Sequence, residues 1–181
     1  MRLVYLIRHA SPVIRPELPT RDWTLSERGA REAQVLAGAA LDWGIEALFS
    51  SSEAKARSNA LIIGDAIGLP VNVVDAFDEL RIADWVDNAD QFNNLVRRVL
   101  AGEAPSRGAE SGDDAAARFA RGLEIVAQAR FPAAVVSHGR IIAAYLSRSR
   151  PVEDAFELWR SIPMPGWTAI DLDAPGTPPP P

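Results

Sequence analysis

Two short runs of this chain are apolar without alternation, and each breaks off at a histidine. Leu3-Val4-Tyr5-Leu6-Ile7 leads into Arg8-His9-Ala10, and Ala133-Ala134-Val135-Val136 leads into Ser137-His138-Gly139. A strand that is apolar on both faces must be covered on both faces, which puts it inside a largely parallel sheet packed between helices. In such sheets ligands bind outside the carboxyl ends of the strands. His9 and His138 are the only histidines present. The two runs therefore deliver both imidazoles to one sheet edge from opposite ends of the sequence.

The segments between them fit that frame. Residues 2–8 read as a central strand and residues 11–23 as a Pro-rich irregular stretch. Thr24-Leu25-Ser26-Glu27 has the spacing of a capping box and predicts a helix from Thr24 to about Asp42, closed by Gly44. A strand over Ile45 to Ser50 and a helix from Ser52 to Ile67 follow, the helix stopped by Gly68 and Pro70. Val71 to Val74 is a third strand. Residues 80–111 lack a clean period apart from a short helix around Asp90 to Leu100, and read as an excursion over the sheet edge. A helix over Gly112 to Gln128, a strand at 133–137, a helix at 140–148, a short helix from Val152 to Trp159 and an edge strand from Thr168 to Leu172 complete the pattern. Strands alternating with helices predict an α/β fold, a three-layer αβα sandwich around a mostly parallel central sheet. Residues 1–174 are expected to form one domain, and 175–181, Pro-Gly-Thr and four prolines, a tail without fixed structure.

Composition removes several functions. The chain has no cysteine, which excludes a disulfide framework and thiolate chemistry and fits a reducing, cytoplasmic setting. A net charge of -5 argues against a nucleic-acid partner held by phosphate neutralisation. The apolar runs are too short for a signal-peptide core or a membrane span. Two histidines among scattered carboxylates lack metal-ligand spacing, so neither metal nor cofactor is expected. Ser52-Glu53-Ala54-Lys55 fits the Ser-x-x-Lys pattern of serine acyl-enzymes, but no Ser-Asp-Asn or Lys-Thr-Gly partner exists, which makes the match accidental.

What remains is a set of parts for handling a phosphate. The Arg8 fork suits bidentate contact with an oxyanion, and a neutral His9 beside it can attack phosphorus. His138-Gly139 opens a helix, whose free N–H groups suit an anion. Lys55, the only lysine beside 18 arginines, stands at a helix N-terminus, where the dipole disfavours a cation unless an anion binds there. Ser50-Ser51-Ser52 can cap that helix or donate to the same anion. Glu79, after the third strand, is placed to protonate a leaving alkoxide, with burial and a bound dianion both raising its pKa. Two imidazoles, two cations and one acid beside strand ends describe phosphoryl transfer through a histidine.

In order along the chain, these residues resemble the histidine phosphatase superfamily with its phosphoglycerate mutase-like fold. Arg8-His9-Ala10 is similar to that family's Arg-His-Gly, and Leu25-Ser26-Glu27-Arg28-Gly29 to its Leu-Thr-x-x-Gly. Ser50 to Ala60 resembles its Ser-Ser-x-x-x-Arg-Ala-x-x-Thr-Ala block, and Phe77-Asp78-Glu79 with Ala83 and Trp85 its acid motif. Gly108-Ala109-Glu110-Ser111 and Val136-Ser137-His138-Gly139 continue the match. The resemblance implies that His9 is the phosphorylated nucleophile, that Arg8, Lys55, His138 and Gly139 hold the phosphate, and that Glu79 donates the proton. Ser11, Ser51, Arg57 and Arg81 are further candidates, Arg81 standing as either a second anion contact or a surface charge.

The implied reaction is metal-independent hydrolysis of a phosphomonoester, on a small phosphorylated molecule or a phosphoprotein. A phosphomutase and a non-catalytic phospho-ligand binding module are the alternatives. Three residues depart from the family pattern. Ala10 replaces a glycine and requires a negative φ. Pro12 replaces a hydroxyl residue. Lys55 falls where arginine is usual; a shift of two residues along the helix would present Arg57 instead, but Ala56 and Ala60 align without a gap when Lys55 is used. The excursion, with Trp85, Phe92 and Arg97-Arg98, is the expected specificity surface. The sequence does not set the oligomeric state.

Overall fold

The two apolar runs pair with each other. In the computed structural model, which describes residues 1–82, 86, 88–104, 108–149 and 154–173, five strands form one sheet in the order β3-β2-β4-β1-β5. β1 (Leu3–Arg8), β2 (Ala47–Ser50), β3 (Val71–Val73) and β4 (Ala133–Ser137) run parallel, and β5 (Gly166–Asp171) lies antiparallel along β1. Arg8 is in register with Ser137, so the chain leaves the sheet at His9 and His138 side by side.

Among the described residues six α-helices cover the sheet: α1 (Glu27–Ala40), α2 (Ala54–Ile67), α3 (Ala89–Leu100), α4 (Gly112–Val126), α5 (Gly139–Ser149) and α6 (Ala155–Ser161). The strand residues divide between them by alternation. Ile7, Leu48, Ala134 and Val136 pack on α1 and α2. Val4, Leu6, Phe49 and Val135 face the layer built from α3 to α6. Each fully buried Leu or Ile here contributes about 1.5–3 kcal/mol relative to exposure, which commits both faces of β1 and β4 to cover.

Several elements differ in detail from the sequence expectation. The capping box does not form, and Ser26 replaces Thr24 as the N-cap of α1. Its Oγ accepts from Gly29 N–H and donates to the Ser11 carbonyl, both at 2.9 Å. Thr24 is unavailable because its carbonyl accepts from Val13 N–H while Leu25 bridges to Pro12, which keeps this stretch extended. Gly29 allows the approach, since a Cβ there would lie 2.0 Å from the Ser11 oxygen. α1 gives way to a 3-10 turn at Leu41–Trp43 before Gly44, which takes the left-handed conformation at φ 63. α2 begins at Ala54 rather than Ser52, because Ser52 is bound to Asp78. The short helix expected at 152–159 is capped by Asp154 and runs to Ser161. Its expected start at Val152 lies outside the described residues, as do Ala83, Trp85 and the tail at 175–181.

Candidate active site

The register of β1 and β4 fixes the centre. His9 N–H donates to the Ser137 carbonyl at 3.0 Å. Its ring Nδ1 lies 2.7 Å from the Ala10 carbonyl. A carbonyl only accepts, so Nδ1 carries the proton and Nε2 the lone pair. Burial, with the neighbouring His138, lowers this imidazole to about 3, so it is neutral at neutral pH. A neutral ring with a free Nε2 is the nucleophilic form. Ala10 is fully buried, and no non-glycine residue among those described has a positive φ, so its methyl group fits where the family pattern has glycine.

The His138 ring meets His9 edge to face, with centroids 5.0 Å apart. Its Nε2 lies 2.8 Å from Ser51 Oγ. That hydroxyl spends its one proton on Asp78 Oδ1 at 2.7 Å, so His138 Nε2 must donate to it. His138 Nδ1 is then the atom with the lone pair, and burial lowers this ring also to about 3.

The cations come from three elements. Arg8, at the end of β1, donates from one guanidinium nitrogen to the Ile162 carbonyl at 2.6 Å. Gly139 makes room for it, because a Cβ there would sit 2.8 Å from Arg8 Nε and 2.9 Å from Cζ. Lys55, in the first turn of α2, is buried and donates to Glu53 Oε2 and, at 2.8 Å, to the Thr20 carbonyl. Its charge acts on His9, His138 and Glu79. Arg57 is exposed, so the helix phase presents Lys55 to the interior. Arg140, the second residue of α5, is the third cation, with its Nε 3.3 Å from Glu79 Oε2.

Glu79 receives the start of α5. Its Oε1 accepts from Ile141 N–H at 3.0 Å and from Leu80 N–H at 2.8 Å, and Oε2 lies 3.4 Å from Arg140 N. Burial pushes the carboxyl up, but the Arg140 guanidinium, the Leu80 N–H and Lys55 outweigh it and hold it at about 2. Glu79 is therefore ionised in the free protein. This differs from the expected upward shift, and the cause is a guanidinium supplied by another element.

Four buried polar atoms have no hydrogen-bond partner among the described residues: Arg8 Nε, Asn59 Nδ2, His138 Nδ1 and Arg140 Nε. Asn59 belongs to the same centre, since its Oδ1 accepts from Ala10 N–H at 2.8 Å. Three of the four are donors, and the fourth becomes one when His138 is protonated. A tetrahedral oxyanion is the kind of group that satisfies such a set.

Not every candidate joins this cluster. The Ser11 backbone is tied to Ser26 and to Glu32, and Arg81 is 68% exposed with Glu110 at 3.8 Å. Sequence reasoning passed over Asp78, Glu53, Asn59, Arg140 and Arg118. Asp78 was one of several acids in its loop, yet it accepts from both Ser51 and Ser52 and fixes the start of α2. Arg140 carried a readable signal, a cation in the first turn of a helix, the same one that marked Lys55. Arg118, from the middle of α4, carried none. It binds Glu110 and donates to the Ala76 and Asp78 carbonyls at 2.9 Å, which anchors the loop that presents Glu79.

A mostly parallel sheet with adjoining imidazoles and buried unpartnered donors at its carboxyl edge has the chemistry to hold an oxyanion. The chain matches the histidine phosphatase superfamily (branch 1) over residues 4–176, and it belongs to that family. No curated protein matches it in sequence. Among solved structures it is similar to a mycobacterial glucosyl-3-phosphoglycerate phosphatase in complex with inorganic phosphate, at 24% identity and TM-score 0.74, over 97% of this chain and 94% of that one. YhfR of Bacillus stearothermophilus aligns at 19% identity and TM-score 0.77, over 97% and 94%. A putative alpha-ribazole-5'-P phosphatase from Escherichia coli aligns at 20% and TM-score 0.70, over 94% and 90%. Identities this low speak to the fold, a mixed α/β architecture that all three share with this chain.

Proposed function

We propose that this protein is a metal-independent phosphomonoesterase acting through a phosphohistidine on a phosphorylated small molecule or phosphoprotein. The observation that carries this reading is His9, whose Nδ1 is held by the Ala10 carbonyl and whose neutral ring meets that of His138, in a centre that holds buried donors without a partner. His9 Nε2 attacks phosphorus and the ester P–O bond breaks. The departing oxygen takes its proton from Glu79, which has first gained one from solvent as the phosphate dianion competes for Arg140. Water then attacks the phosphohistidine, releasing phosphate and returning a proton to Glu79. Arg8, Lys55, Asn59 and a protonated His138 offset charge on the equatorial oxygens. No helix among the described residues is long and apolar enough to cross a membrane. The cysteine-free composition fits a cytoplasmic enzyme.

Hydrolysis of an aryl phosphate in excess chelator, compared with His9→Ala, tests this. Turnover that survives the chelator and vanishes in the variant, with an acid-labile phosphoryl group trapped on the wild type, is expected. Turnover retained by His9→Ala would sink the phosphohistidine assignment. A second reading, a phospho-ligand binding module, draws support from the ionised Glu79 and from Lys55 being held by Glu53. Phosphate binding without turnover by the wild type would favour it.

A further inference from the structure

The pocket holds a carboxylate that phosphoryl transfer does not require. Glu53, at the N-cap position of α2, is only 7% exposed. Its Oε2 accepts from Lys55 Nζ and lies 3.9 Å from His138 Nε2, and its Oε1 accepts from Glu79 N–H at 2.9 Å. Of the three protons on the Lys55 ammonium, one goes to Glu53 and another to the Thr20 carbonyl. The groups proposed to receive a phosphate are thus already in contact with a buried anion.

We propose that Glu53 is a built-in competitor for the phosphate: its carboxylate occupies Lys55 in the free protein, weakens the hold on a phosphate dianion and so hastens release of the product. The inference rests on the phosphatase reading of this site. Exchange of Lys55 from carboxylate to phosphoryl oxygen needs no covalent step. Lys55, in the first turn of α2, attracts Glu53, whereas His138, 3.9 Å from that carboxylate, is neutral in the free protein and adds no charge. Glu79 is the nearby carboxylate of like sign, and Arg140 with the α5 N–H groups already holds that one. A phosphate dianion is attracted by Lys55 and repelled by Glu53 at close range, in a buried setting where screening by water and salt is weak.

The competitor predicts a gain of affinity on mutation, which a purely structural role does not. Glu53→Gln removes the charge and keeps an Oε1 acceptor for Glu79 N–H, and Glu53→Met removes the charge at similar volume. Titration calorimetry with inorganic phosphate near neutral pH is the measurement, together with product inhibition of aryl phosphate hydrolysis. Expected is at least about tenfold tighter phosphate binding in either variant that melts cooperatively, with stronger product inhibition. Unchanged or weaker binding in a folded variant overturns the proposal and makes Glu53 a support for Lys55. Failure of both variants to fold also overturns it, since the ion pair then serves the fold. A wild type that binds no phosphate removes the phosphatase reading and this inference together, whereas binding without the gain removes the inference alone.

Discussion

Arg118→Met is the perturbation that best tests how the Glu79 loop is held. Arg118 and Glu110 form a two-point pair, Nε to Oε1 at 2.8 Å and the second nitrogen to Oε2 at 2.7 Å, with side-chain exposures of 15% and 4%. Removing one partner of a buried pair costs about 3–5 kcal/mol, because the other charge is left uncompensated. The two carbonyl contacts at 2.9 Å, to Ala76 and Asp78, add about 1 kcal/mol each where water cannot replace the donor. Arg81 is no substitute, since it reaches Glu110 only at 3.8 Å from an exposed position. The expected loss is therefore about 5–7 kcal/mol, a large fraction of the ~5–15 kcal/mol that holds a domain together. Urea unfolding at neutral pH reads it as a lowered midpoint at unchanged slope. The diagnostic step is the double variant Arg118→Met/Glu110→Gln, which removes the stranded charge and should recover about 2 kcal/mol or more. Catalysis should not recover with it, because the carbonyls around Glu79 stay untethered. A loss below about 1 kcal/mol, or a double variant less stable than Arg118→Met, would refute the account of this pair as the anchor of the loop.

Two further outcomes follow from the site geometry. Gly139→Ala places a Cβ 2.8 Å from Arg8 Nε, 2.9 Å from its Cζ and 3.1 Å from Trp159 Nε1, so side chains rather than backbone must give way, the Arg8 guanidinium first. Stability should change by no more than about 1 kcal/mol while phosphate affinity falls about tenfold or more, and equal loss in both measurements would show that Gly139 serves packing instead. The second outcome concerns pH. Both histidines titrate near 3 in the fold against 6.5 ordinarily, so between those values the unfolded chain binds protons that the folded one refuses. Stability should be fully present above pH 6.5 and decline as pH falls toward 3, with Glu79 adding a further loss between 4.5 and about 2. Unfolding free energies at pH 7 and pH 5 should differ less in His9→Gln/His138→Gln than in the wild type, and an unchanged difference would remove burial of the neutral rings as the cause.

The parts of the fold that showed in the sequence are those decided within a few residues. The unbroken apolar runs of β1 and β4 admit only a doubly covered position, and that position alone brings His9 beside His138. Lys55 over Arg57 rested on the resemblance, in which Ala56 and Ala60 align without a gap, and the structure buries Lys55 and leaves Arg57 exposed. The capping box failed where a distant segment intervened, because pairing of Pro12 and Val13 with Leu25 and Thr24 moved the cap to Ser26. Charge in the pocket was hardest to read, because a count of cations says nothing about which of them are engaged. Lys55 is held by Glu53, and Arg140 by Glu79. Among the described residues Arg8 alone of the three pocket cations pairs with no carboxylate, and its buried Nε still lacks an acceptor. On the proposed phosphatase reading, an incoming phosphate would meet one ready cation and two that must first change partners. The sequence motifs name all the proposed anchors of this site except Asn59 and Arg140, yet the order in which they become available depends on Glu79, which a motif singled out, and on Glu53, which none did.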